Sequence, residues 1–145
     1  MRVDFYQLSR DPVEAVLPQI ARATLRGGNR LLVVSGDDSQ IDRIDRALWE
    51  KFPETFLGHG RAGGEHDARQ PVLLGGQMQA GNGSKYVAIA DGVWRDADSD
   101  FDRTFYFFDD ATLKPARQCW RELGKRDGLE RHFWKQEGGK WIEAG

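Results

Sequence analysis

Cysteine is nearly missing from this chain: Cys119 is the only one in 145 residues. A single thiol can form no internal disulfide and no cysteine-based zinc site, and a reducing cytoplasm suits such a protein. Long apolar runs are missing too. None approaches the roughly 20 residues that span a bilayer, and the start, M-R-V-D-F-Y-Q-L-S-R-D-P, lacks the apolar centre of a signal peptide. Nor does charge of one sign dominate. Lys and Arg total 21 against 23 Asp and Glu, a net charge of −2. With no global basic field to draw the molecule onto DNA, a nucleic-acid role has to come from a local patch or through a partner. Neither repeats nor a linker divide the chain, so one cytoplasmic domain over residues 1–145 is the expectation.

What is present alternates. Val3 to Leu8 is β-branched and aromatic, a first strand that Ser9-Arg10-Asp11-Pro12 breaks. Leu17, Ile20, Ala21 and Thr24 recur at helical spacing until Gly27-Gly28, with Pro18 in a first turn or at a kink. Leu31-Leu32-Val33-Val34 is continuously apolar, as a strand covered on both faces must be. A second helix follows, capped at Asp38 or Ser39, with Ile41, Ile44 and Leu48 inward and Phe52-Pro53 closing it. Strand, helix, strand, helix at this spacing predicts βαβ units with right-handed crossovers. Residues 56–83 are loop-rich apart from a strand at Pro71–Leu74. Further strands are predicted at Tyr86–Ala90 and Phe105–Phe108, and a helix runs from about 112 to 123. The tail R-H-F-W-K-Q-E-G-G-K-W reads as an edge strand with a Gly-Gly turn. The fold class is therefore α/β, a Rossmann-like three-layer domain with a mostly parallel sheet.

Most reactive chemistry lacks its residues. His59 and His66 lie in G-H-G-R-A-G-G-E-H-D without helical H-E-x-x-H pairing or a third ligand tied to them, and a polar surface loop is the better reading. The turn after the first strand has no glycine and no Lys-Ser/Thr pair to cradle phosphate, and S-G-D-D-S after the second would repel it. No G-x-S-x-G elbow surrounds any serine. Cys119 falls on the inner face of its helix with Ala116 and Leu123, where a packing thiol is expected. The run D-A-D-S-D-F-D could hold magnesium, but it has no apolar frame, and a solvated face is the better reading.

The last helix is different. Ala116, Cys119 and Leu123 mark its core side. Lys114, Arg117 and Arg121 line the opposite side at mutual reach, and Trp120 falls on the seam between. A half-buried indole flanked by cations can wall a groove for a carboxylate and an apolar ring. The same pattern also describes a solvated basic face whose tryptophan finishes the core, and spacing alone separates neither.

Four segments carry a resemblance: V-D-F-Y-Q-L, the helix end A-L-W-E-K-F-P-E-T-F-L-G-H, A-R-x-x-W-R-E-L, and F-W-K-Q-E-G-G-K-W. Together, in order and across nearly the whole chain, they resemble the chi subunit family of bacterial DNA polymerase III. The resemblance implies a Rossmann-like fold with no nucleotide or other cofactor, no catalysis of its own, and DNA contacted mainly indirectly. It implies two partners: the psi subunit of the clamp loader, and the acidic C-terminal tail of single-stranded-DNA-binding protein, which ends in an aromatic residue. By position, Arg117, Trp120 and Arg121 correspond to the family's tail pocket, as do Lys114 and the aromatic Phe56, while Trp49 corresponds to the region facing psi. Residues alone leave two other classes open: a metal- or nucleotide-dependent enzyme acting on nucleic acid, and a direct single-stranded DNA binder.

Overall fold

The computed structural model of the protein describes residues 1–51, 58–96, 101–137 and 140–144. Eleven regular elements follow one another: β1 (Arg2–Gln7), α1 (Val13–Arg26), β2 (Leu31–Val34), α2 (Asp38–Glu50), β3 (His59–Arg61), β4 (Val72–Gly75), β5 (Tyr86–Ile89), β6 (Arg103–Phe108), α3 (Leu113–Leu123), β7 (Glu130–Glu137) and β8 (Lys140–Glu143). The strands form one open sheet in the order β3-β4-β2-β5-β6-β1-β7-β8. Every pairing is parallel except β7 with β8. The mostly parallel α/β architecture expected from the alternating pattern is the one observed.

Two apolar layers follow from side-chain alternation. On one face α1 and α2 bury Val16, Leu17, Ile41, Ile44 and Leu48 against Leu31, Val33, Leu74 and Phe107. On the other, α3 buries Ala116, Cys119 and Leu123 against Val3, Phe5, Ile89, Tyr106 and Phe108. β2 is buried along its whole length, which is why it reads as a continuous apolar run, each side chain contributing about 1.5–3 kcal/mol. Among the described residues, one carboxylate sits inside. Asp4 on β1 has no exposed side-chain surface and accepts from Arg2 Nη2 (3.0 Å), Arg103 Nε (2.7 Å) and Trp134 Nε1 (3.0 Å). Burial pushes its carboxyl up, and the hydrogen bonds from Arg2, Trp134 and Arg103 overcome this and hold it below the ordinary aspartate value. A buried carboxylate is tolerated because every lone pair has a donor.

Four expectations need correction. Pro18 lies in the second turn of α1 rather than the first. The α2 cap is Asp37, whose carboxylate accepts from the amides of Ser39 (2.9 Å) and Gln40 (3.3 Å), because the helix already begins at Asp38. β3 was not anticipated: His-Gly-Arg has no apolar signature, and it pairs in parallel with β4 at the sheet edge. The tail forms two strands, with β7 interior beside β1 and only β8 at the edge. Phe52-Pro53, expected to close α2, lie outside the described residues.

Candidate basic–aromatic pocket

α3 begins where a capping box forms. Asp109 Oδ1 accepts from the Thr112 amide (3.1 Å) and Thr112 Oγ1 from the Asp109 amide (3.0 Å), satisfying donors that a helix start leaves open. The loop before β6 is tied to the same point, since the Tyr106 hydroxyl donates to the Gly92 carbonyl at 2.7 Å. Gly92 has φ +76°, and a Cβ there would meet Thr112 at 2.6 Å, so glycine is required twice over. The helix's buried stripe is Ala116, Cys119 and Leu123, as the spacing predicts. Cys119 is a neutral packing thiol, pushed up to about 12 by burial.

Trp120 is half-buried on the seam. Its ring meets Phe5 (5.2 Å) and Phe133 (5.5 Å) edge to face, the favoured aromatic geometry. The Arg131 guanidinium lies 4.0 Å from its centroid and donates to the Trp120 carbonyl. Gly124 makes room for this, because a Cβ there would come within 2.7 Å of Arg131 Cζ. The indole is thus locked in orientation, with its remaining surface on a concavity of about 240 Å³. Gln7, Arg117, Phe133, Lys135 and Ala144 complete the lining. Arg117 and Lys135 are exposed, and among the described residues neither is paired with a carboxylate. The arrangement offers an aromatic wall beside two available cations, chemistry suited to an apolar ring attached to an anion.

The structure therefore brings Arg117 and Trp120 together. Lys114 and Arg121 are exposed on the same helix but do not line the concavity, and Phe56 lies outside the described residues. Trp49 is elsewhere. It sits near the end of α2, 53% exposed, with its ring 4.5 Å from that of His59. His59 is itself buried, with Nε2 2.8 Å from Asp45 Oδ1. Sequence reasoning missed Gln7, Arg131, Phe133 and Lys135. The alternation R-H-F-W-K was the available signal, since odd positions of β7 share the α3 face.

Other constellations hold less. A crevice of about 470 Å³ opens at the carboxyl ends of β1, β5 and β6, where sheets of this kind take nucleotides. Its lining includes Asp11, Glu14, Asp91 and Asp109 against Arg10 and Arg43. Asp91 is raised by burial but brought below its ordinary value by Arg95 and the amides of Gly36 and Val93, so it stays anionic and opposes phosphate. His59 is buried and His66 exposed beside Glu65. Among the described residues no group of three or more His, Cys, Asp or Glu is placed to hold a metal ion, and no helix is long and apolar enough to cross a membrane.

Comparison with known proteins adds a family. The model of the family described as DNA polymerase III chi subunit, HolC, matches residues 1–138. Two relatives, both described as DNA polymerase III subunit chi, are similar over shorter stretches. That of Escherichia coli K12 is 29% identical over 93 residues, 59% of this chain and 63% of the relative. That of Pseudomonas aeruginosa PAO1 is 36% identical over 84 residues, 56% of this chain and 58% of the relative. The match therefore spans about three fifths of the length of either relative.

Proposed function

Since the chain belongs to the DNA polymerase III chi subunit family, we propose that it serves replication as a non-catalytic connector within the polymerase assembly. One surface takes the psi subunit of the clamp loader and another takes the acidic, aromatic-ended C-terminal tail of single-stranded-DNA-binding protein. The whole of residues 1–145 acts as one such domain, in the cytoplasm, and reaches DNA through its partners. The observation that carries this reading is the Trp120 pocket. A fixed indole and Phe133 receive the terminal ring, and Arg117 receives the terminal carboxylate. Lys114 and Arg121, on the outer face of α3, supply longer-range attraction to the acidic residues that precede it. The exposed Trp49, on the opposite face of the sheet, belongs to the psi surface.

A site this small gives micromolar affinity, about −8 kcal/mol. The test is calorimetric titration with an acidic peptide ending in phenylalanine and a free carboxylate. Arg117→Glu should weaken binding by about a hundredfold, through lost pairing and new repulsion, with its unfolding temperature unchanged. Undiminished affinity in that variant rejects the assignment.

A further inference from the structure

The pocket has a part that the family match does not reach. The match ends at residue 138, and β8, Lys140–Glu143, lies beyond it. β8 is held in antiparallel register, with Ile142 opposite Lys135 and the Ala144 amide donating to the Phe133 carbonyl at 2.7 Å. Strand alternation sends Trp141 to the far face, where it meets the Tyr6 ring at 5.0 Å. Ile142 and Ala144 are thereby placed on the α3 face beside Lys135 and Phe133. Ala144 lines the pocket, and Ile142 is 44% exposed. At the base, Gln7 stands opposite Lys135 in the parallel register, and its Oε1 is buried with no hydrogen-bond partner. An acceptor without a donor is costly inside a protein, and a peptide N–H would satisfy it.

Along this face of the hairpin the charged positions are Lys135 and Lys140 against Glu137, so the excess is positive. A floor that is apolar at Ile142 and cationic at Lys135 leads directly away from the indole. We propose that the β7–β8 hairpin extends the pocket into a groove in which Lys135 selects acidic residues upstream of the partner's terminal aromatic and Ile142 supports their backbone. This rests on the reading of the Trp120 pocket given above and assigns its specificity to Lys135 and to a strand outside the family match.

The experiment uses the full chain and two fluorescent peptides. Both end in phenylalanine with a free carboxylate; one has four aspartates before it and the other four asparagines. Lys135→Gln should weaken the aspartate peptide about three- to fivefold, the size of a partly exposed ion pair, and leave the asparagine peptide unchanged. Ile142→Ser, a mild change at a half-exposed edge position, should weaken both about threefold through lost apolar contact. Arg117→Ala should weaken both severely. If Lys135→Gln treats the two peptides alike, or Ile142→Ser binds both as wild type, while Arg117→Ala still loses both, the hairpin groove is wrong and the pocket stands. If Arg117→Ala binds normally, the pocket itself is wrong.

Discussion

Trp120 and Trp49 are both large aromatic surfaces on helices, yet the molecule treats them in opposite ways. Trp120 is pinned by Phe5, Phe133 and Arg131 and walls a concavity with cations at its rim. Trp49 stands 53% exposed on α2, backed by a buried His59 that contacts Asp45. They also lie on opposite faces of the sheet, since α2 packs with α1 and α3 packs alone. β3, beside Trp49, and β1, beneath Trp120, are five strand positions apart, about 24 Å at ordinary strand spacing. Under the proposed function, the difference teaches how one small fold serves two partners. A concave, charged, rigid site suits the end of a flexible chain, where little has to be ordered beyond a ring and a carboxylate. A protruding indole suits a folded or folding partner that supplies its own cavity.

The comparison breaks most visibly under paired truncation. Trp120→Ala should cost about 3 kcal/mol of stability, because the ring fills space between Phe5 and Phe133, and should abolish tail-peptide binding. Trp49→Ala should cost under about 1 kcal/mol and leave tail binding intact; chemical denaturation and calorimetry read both. Salt gives the next largest contrast. Raising ionic strength from 0.05 to 0.5 M should weaken tail binding roughly tenfold, because the attraction is between exposed charges, with much less effect on any partner held at Trp49. Arg131→Ala should release the indole and lower stability by about 1 kcal/mol, with tail binding falling in step, visible as a broadened Trp120 indole resonance.

The smallest effect concerns pH. His132 donates to the carboxylates of Glu130 (2.8 Å) and Glu143 (2.9 Å), and these bonds raise its pKa above the ordinary value. The contribution to holding β8 against β7 is therefore fully present below about pH 6.5 and lost as pH rises through the raised value. Hydrogen exchange in the hairpin should quicken across that window, and His132→Gln should remove the dependence.

Much of the platform was legible because its signals are local. The apolar run of β2 and the stripe Ala116, Cys119 and Leu123 report burial through period alone, and the seam position of Trp120 follows from the same stripe. The rest depends on register. Nothing in His59-Gly60-Arg61 marks a strand, since β3 is set by pairing to β4 and by contacts of His59 with α2 that only the fold brings together. The pocket's other walls come from β1, β7 and the residue after β8, brought together by Gln7 opposite Lys135 and Ala144 opposite Phe133. Reading α3 alone places three cations and an indole on one element. Only the sheet shows that Arg117 faces the concavity with Lys135 while Lys114 and Arg121 stand outside it.

The most direct test of two separated surfaces uses the indole N–H resonances of the five tryptophans, assigned by single Trp→Phe variants. Titrating the labelled protein with the acidic, phenylalanine-ended peptide should shift the Trp120 signal strongly and leave the Trp49 signal where it began. A shift at Trp49 with Trp120 unmoved would contradict the account.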